Sequence, residues 1–176
     1  MQFCVAAFPN LSSHKSWINE FRAQNDPLAR FIEPHITLVF PTSALTGEQL
    51  DGEISKLVKG VVPFRLALRS AMIMPEIGSM RNQAHIFLVP DEGFGSLVRL
   101  HDRLYSGRLK ADLRLDIPFV PHLTIGAGIN LKTAKALTDS LNAKDFEIGF
   151  TLQELFIVKI EEQNRERVIS PPITLG

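Results

Sequence analysis

The chain has 176 residues, is 45% hydrophobic and carries 19 basic and 19 acidic side chains. These values are typical of one soluble globular domain, and the zero net charge argues against a nucleic-acid coat protein or a membrane-surface binder, which would be basic. The single cysteine, Cys4, excludes an internal disulfide and fits a reducing compartment. No apolar run approaches the ~20 residues of a membrane span, so we expect no membrane partner. We also expect the protein to be a cytoplasmic monomer.

The first half of the chain alternates helical and extended patterns. After an apolar strand at 3–8, the patterns predict a helix from Ser12 or Ser13 to about 24, a loop at 25–33, a motif strand, a helix at 46–59 and strands at 64–74 and 84–89. The second half predicts a helix at 94–107, a motif strand at 119–129, a helix at 133–142, and strands at 146–160 and 168–173 around a polar turn at 161–166. Both halves thus have the order helix, motif strand, helix, strand, strand.

This order predicts an α+β fold with mainly antiparallel pairing. The two sheets are expected to face each other across a central cleft lined by the motif strands, with the helices on the outside. No stretch is rich enough in Gly, Ser or Pro to separate independent domains.

One short motif occurs twice, as Pro-His-aliphatic-Thr-aliphatic. Its copies begin at Pro34 and Pro121 and place histidines at 35 and 122, which are separated by half the chain. Side chains alternate faces along a strand, so His35 and Thr37 share a face, and so do His122 and Thr124. Beyond the second threonine that face carries only glycine, which leaves room for a ligand or for a close backbone approach.

Two of the other histidines, His85 and His101, are interpreted as structural, and His14 as a solvated residue in the first turn of its helix. His85 alternates with apolar residues in its strand, which indicates a packed or edge position, and His101 lies on the apolar stripe of its helix. Cys4 lies in an apolar strand and is expected to be buried.

Two histidines facing across a cleft suit a displacement at phosphorus. A neutral imidazole can take a proton from water or a hydroxyl while a protonated one donates to the leaving oxygen, and both forms exist near neutral pH. The threonine hydroxyls can donate hydrogen bonds to the non-bridging oxygens, where charge accumulates. The motifs hold no cysteine or paired carboxylate and fall short of a zinc shell, so we expect neither a metal nor another cofactor.

Residues 34–41, Pro-His-Ile-Thr-Leu-Val-Phe-Pro, and 119–126, Phe-Val-Pro-His-Leu-Thr-Ile-Gly, resemble the two signatures of the two-histidine phosphoesterase superfamily, in its 2′-5′ RNA ligase and cyclic phosphodiesterase branch. The resemblance implies a bilobal, pseudo-symmetric α+β fold in which residues 1–176 form one domain of two intertwined lobes. It also implies metal-free action on 2′,3′-cyclic phosphates or 2′-5′ phosphodiester bonds of RNA ends or small nucleotides. His35, Thr37, His122 and Thr124 are the implied catalytic set.

Three questions stay open at this level. Some relatives continue the second motif with a phosphate-binding arginine, where this chain has Gly126-Ala127-Gly128, and either Arg69 or Arg81 is a candidate substitute. ATP-independent ligation is the reverse of hydrolysis and has the same sequence signature. A non-catalytic binder of RNA ends or small phosphorylated ligands, or a metallohydrolase, would be the alternative class of function.

Overall fold

The computed structural model describes residues 1–76, 82–161, 165–168 and 170–176. The strands are β1 Gln2–Ala7, β2 Ile36–Thr42, β3 Phe64–Pro75, β4 Gln83–Glu92, β5 Leu123–Asn130, β6 Ile148–Leu152, β7 Glu154–Glu161, β8 Arg165–Val168 and β9 Ile173–Thr174. The helices are α1 Lys15–Asn25, α2 Gly47–Leu57, α3 Phe94–Leu104 and α4 Leu131–Asn142, and a short 3-10 turn at Ser12–His14 precedes α1. The order helix, motif strand, helix, strand, strand is confirmed in the first half, whereas in the second half four strands, β6 to β9, follow α4 where two were predicted.

The strands form two sheets, and all of their described pairings are antiparallel. One sheet has the order β2-β1-β7-β8, with β9 also paired to β7, and the other has the order β5-β4-β3-β6. The predicted α+β class is confirmed. Each motif strand, β2 or β5, lies at the edge of its sheet, and each sheet combines strands from both halves of the chain.

The helices link the two sheets. Helix α1, which precedes the first motif strand, contacts β5 of the second sheet, while α3, which precedes the second motif strand, contacts β2 of the first. The apolar stripe predicted for α3 is buried at Leu97, Leu100 and Leu104. One continuous hydrophobic core joins these helices to both sheets.

Helix α3 also completes the outer edge of β2. The Nδ1 of His101 lies 2.8 Å from the carbonyl oxygen of Leu38, and the hydroxyl of Tyr105 accepts a hydrogen bond of 3.0 Å from the amide of Phe40. These backbone groups alternate along the free edge of β2, where an unpaired and buried polar group would destabilise the strand. His101 is 3% exposed and holds the first motif strand in place, in agreement with its structural interpretation.

Several predicted boundaries were wrong. The single strand predicted at 146–160 is two strands, β6 and β7, which belong to different sheets. Its pattern of burial changes phase at Gln153, because even-numbered residues are buried in β6 and Leu155 and Ile157 are buried in β7. The second motif strand begins at Leu123, and α3 ends at Leu104. The predicted turn at 161–166 lies partly outside the described residues.

Two further observations bear on the sequence predictions. Cys4 is buried, as expected. Within the described ranges, no helix is both long and apolar enough to cross a membrane.

Candidate active site

The first motif histidine lies immediately before β2. Its Nδ1 is 3.0 Å from the carbonyl oxygen of Glu33, two residues earlier. Pro34, between them, has a fixed φ and restricts Glu33 to an extended conformation, so the carbonyl is held where the ring of His35 can reach it. The proline of the motif thus has a local role in orienting the imidazole.

The second motif repeats this geometry. The Nδ1 of His122 lies 2.6 Å from the carbonyl oxygen of Val120, and Pro121 stands between the two residues. A carbonyl oxygen can only accept a hydrogen bond, so Nδ1 carries the proton in both His35 and His122. Nε2 is therefore the atom that takes up a proton in each neutral ring.

Burial lowers the pKa of both histidines. Burial is the largest cause for His35, and the nearby guanidinium of Arg22 also contributes. The pKa of His122 falls to about 4, first through burial and then through the positive charges of His35 and His85. The effect of His35 on the pKa of His122 shows that the two motif histidines lie within electrostatic reach of each other. Because both pKa values lie below the usual 6.5, both rings are neutral at pH 7.

The two threonines follow their histidines into the strands. Thr37 pairs with Ala6 of β1, and Thr124 pairs with Phe87 of β4. Both side chains are half-buried. Among the described residues neither hydroxyl has a hydrogen-bond partner, so each is available to donate to a bound oxyanion.

Aromatic rings pack against both histidines, which the sequence did not predict. The ring of Phe87 stacks on His122 with centroids 3.6 Å apart and an interplanar angle of 15°, and Phe8 lies 5.7 Å from His35. His85 stacks on the same phenylalanine at 5.8 Å. The prediction of a packed position for His85 agrees with this contact, and His85 lies on the same face of β4 as the ring that stacks on His122.

Gly126, the first glycine after Thr124, allows a close backbone approach, one of the two roles considered. A Cβ at Gly126 would lie 2.7 Å from Ile129 Cδ1 and 3.5 Å from the carbonyl oxygen of Asn25 at the end of α1. Irregular pairing between β4 and β5 turns this glycine away from the threonine and toward the helix. It is needed where α1 packs on β5.

Neither proposed arginine is shown to substitute for the missing motif arginine. The guanidinium of Arg69 is bound by Glu147 at 3.0 Å, Asp91 at 2.8 Å and Glu92 at 3.4 Å, and the carboxylates of Glu147 and Asp91 raise its pKa. Its donors are held by acids on an exposed surface, which argues against a phosphate-binding role for Arg69. Arg81 lies outside the described residues.

A buried ion pair stabilises the loop that leads to the first motif. Arg22 Nε lies 2.9 Å from Asp26 Oδ2, and both side chains are only 3% exposed. Arg22 also donates to the carbonyl of Ile32, and Asp26 accepts from the amide of Leu28. The pair therefore ties α1 to the loop that leads to His35. One feature of the sequence indicates this pair: Arg22 lies four residues after the buried Ile18 and therefore on the same face of α1.

Metal-binding side chains are not clustered in the described part of the chain, where no group of three or more His, Cys, Asp or Glu residues could hold an ion. The candidate site predicted for this region contains two imidazoles and two hydroxyls, and an aromatic ring lies against each imidazole.

Solved structures share this fold over nearly the whole chain. A Thermus thermophilus protein, TT0787, matches with a TM-score of 0.66 at 18% identity, covering 99% of this chain and 98% of the other. Escherichia coli LigT, solved with 3′-AMP, matches with a TM-score of 0.57 at 17% identity over 97% and 94% of the two chains. Kluyveromyces marxianus Usb1 matches with a TM-score of 0.55 at 12% identity over 97% of each. At these identities the likeness establishes the fold alone.

Sequence comparison is more specific. A Bacillus cereus (strain B4264) protein named "Putative phosphoesterase" is 29% identical over 149 residues, which are 83% of this chain and 81% of the relative. The sequence profile of the 2′-5′ RNA ligase superfamily matches residues 9–164. The chain belongs to the 2′-5′ RNA ligase superfamily.

Proposed function

We propose that this protein is a metal-independent phosphodiesterase that acts on 2′,3′-cyclic phosphates or 2′-5′ phosphodiester bonds of RNA ends or small nucleotides. The main support is the matched geometry of the two motif imidazoles. Each Nδ1 is held by the carbonyl two residues earlier, at 3.0 Å for His35 and 2.6 Å for His122. Each ring is thereby left with Nε2 as its reacting atom.

The proposed reaction is an in-line displacement at the phosphorus between the two rings. The neutral imidazole takes a proton from water as the water oxygen bonds to phosphorus, and the protonated imidazole gives its proton to the ribose oxygen as that P–O bond breaks. Hydrolysis of a cyclic phosphate then yields a phosphate monoester. The hydroxyls of Thr37 and Thr124 donate to the non-bridging oxygens as their charge develops.

The lowered pKa values predict an acidic optimum. Because both rings are neutral in the free protein at pH 7, the form with one proton on the pair becomes common only below the usual histidine pKa of about 6.5. We expect kcat/KM to follow a bell-shaped profile whose maximum lies between the pKa of about 4 at His122 and the lowered pKa of His35. A bound phosphate anion stabilises the protonated form, so the kcat profile should lie at higher pH.

The test is turnover of 2′,3′-cyclic nucleotides and 2′-5′-linked dinucleotides by the pure protein in EDTA. His35→Ala and His122→Ala should each lower kcat by roughly 10²–10⁴-fold, and the double variant should be little worse, because both groups act in one step. Thr37→Ala and Thr124→Ala should lose less, up to ~10²-fold. Thr133→Ala, on the exposed start of α4, is the matched control and should keep full activity. If EDTA abolished activity while His122→Ala retained it, the proposal would be wrong.

The alternative is a non-catalytic binder of RNA ends or small phosphorylated ligands in the same cleft. The observation that favours it is the neutral state of both imidazoles at pH 7, since an acid catalyst must first gain a proton. The binder would be favoured if the protein bound the 2′,3′-cyclic nucleotides and 2′-5′-linked dinucleotides but turned none of them over, down to pH 5. Hydrolysis and ligation would be separated by supplying the two product ends at high concentration.

A further inference from the structure

A polar pair lies beyond the motif histidines, at the far end of the second sheet. His85 Nε2 is 3.5 Å from Glu76 Oε1, with side-chain exposures of 35% and 19%. This separation exceeds that of a normal hydrogen bond. Among the described residues, neither side chain has another hydrogen-bond partner. The pair is thus not explained as a tight structural ion pair, and no described side chain occupies its remaining hydrogen-bonding positions.

His85 lies on the same face of the second sheet as Thr124 of the second motif. Phe87 is paired with Thr124 on one side and with Met72 on the other, and His85 follows Phe87 on the same face of β4, opposite Met74. The rings form a continuous row from His122 through Phe87 to His85, with centroid steps of 3.6 and 5.8 Å. A nucleotide with its phosphate at His122 can therefore extend its nucleoside along this row.

The chemistry of the pair favours one kind of group. A carboxylate only accepts hydrogen bonds, while an imidazole can donate to a ring nitrogen or a carbonyl. A second phosphate would be repelled by Glu76. The half-buried thioether side chains of Met72 and Met74 offer an apolar floor for a planar ring.

We propose that Glu76 and His85 form a nucleobase subsite that selects a base carrying an exocyclic amino group. Adenine, guanine and cytosine carry an amino group on C6, C2 and C4, respectively, that can donate to the carboxylate, while uracil carries two carbonyl oxygens and no amino group. The inference rests on the proposed function, because it takes the scissile phosphate to lie at His35 and His122.

The experiment compares kcat/KM for the four 2′,3′-cyclic nucleoside monophosphates. We expect the uridine substrate to be poorer than the other three by about tenfold or more, which is the discrimination that one well-placed polar contact to a base provides. Glu76→Gln should bring uridine within about threefold of the others, because an amide can also donate to a carbonyl. Glu154→Gln, a half-exposed acid on β7 of the other sheet, is the matched control and should leave the preference unchanged.

His85→Gln should act on binding. Because His85 contacts the base and not the reacting phosphate, we expect KM to rise several-fold with kcat nearly unchanged. A wild-type protein that treats all four substrates within threefold would overturn the subsite, as would a Glu76→Gln variant that keeps the wild-type preference.

Calorimetric binding of the four nucleoside 3′-monophosphates separates this proposal from the proposed function. If no cyclic nucleotide is turned over but the base preference in Kd disappears in Glu76→Gln, the subsite stands and the enzymatic function fails. If turnover occurs with no base preference, the function stands and the subsite fails.

Discussion

The buried pair of Arg22 and Asp26 offers a quantitative test of how the first motif is supported. Replacing Arg22 with Met removes the ion pair at 2.9 Å and also the donor to the carbonyl of Ile32. Breaking a buried pair by removing one partner costs about 3–5 kcal/mol, because the remaining charge stays desolvated and uncompensated. We therefore expect the free energy of unfolding to fall by about that amount.

The chain contains its own control at the same helical spacing. Lys135 and Asp139 in α4 are also four residues apart, but both side chains are 60% exposed. An exposed pair of this kind contributes only about 0.3–0.5 kcal/mol. Lys135→Met should accordingly change the stability by less than about 0.5 kcal/mol, so the difference between the two variants isolates the effect of burial.

Both variants can be measured by urea unfolding followed through the fluorescence of Trp17, the single tryptophan, with linear extrapolation to water. The double variant Arg22→Met/Asp26→Leu removes both charges and should recover part of the loss. It also keeps the test informative if the single variant is mostly unfolded, since domains of this size have only about 5–15 kcal/mol of stability. A loss of less than about 1 kcal/mol for Arg22→Met, equal to that for Lys135→Met, would refute the reasoning.

Three further predictions follow from single contacts. The unfolded state binds a proton at His122 near the ordinary pKa, whereas the pKa in the native state is about 4. The free energy of unfolding should therefore fall by on the order of 3 kcal/mol as the pH drops from about 6.5 to about 4. In His122→Gln this free energy should depend less on pH, and an unchanged pH dependence would contradict the lowered pKa. Gly107→Ala would place a Cβ against the buried carboxylate of Glu53 and should destabilise the fold by about 1–3 kcal/mol. A Cβ at Gly52 in α2 meets nothing within 4 Å, so Gly52→Ala should stabilise the fold by about 0.5–1 kcal/mol. Equal melting temperatures for the two variants would show that the loop around Gly107 adjusts freely. Tyr105→Phe removes the acceptor for the amide of Phe40 at 3.0 Å and should cost about 1–3 kcal/mol in urea unfolding, and a loss of a few tenths would mean that the edge of β2 finds another partner.

The sequence by itself was enough for the order of elements up to α4 and for the two motifs. Helical and extended segments differ in the period of their apolar residues, so α3 and its buried stripe could be predicted locally, as could the presence of a strand at each motif. The burial of Cys4 and the structural position of His101 followed from the same patterns. These features depend on neighbours within a few residues.

The sequence prediction failed where two consecutive strands share the same apolar, extended pattern. The apolar run from 146 to 160 has strand character throughout, and its division at Gln153 follows from pairing with β3 on one side and β1 on the other. Similarly, alternation showed that His85 and Phe87 share a face but not which face carries the site. The register between β4 and β5, which sets Phe87 opposite Thr124, was needed for that.

Tertiary structure alone decided how the halves combine. Each motif strand forms a sheet with strands from both halves, and α1 and α3 each contact the motif strand of the opposite sheet. The resulting contacts, including Phe87 on His122 and the buried Arg22–Asp26 pair that ties α1 to the loop before His35, join elements or loops through the folded chain. Hydrophobic burial favours many such arrangements equally at the level of sequence pattern. The one adopted is set by how side chains far apart in the sequence pack and complete each other's hydrogen bonds.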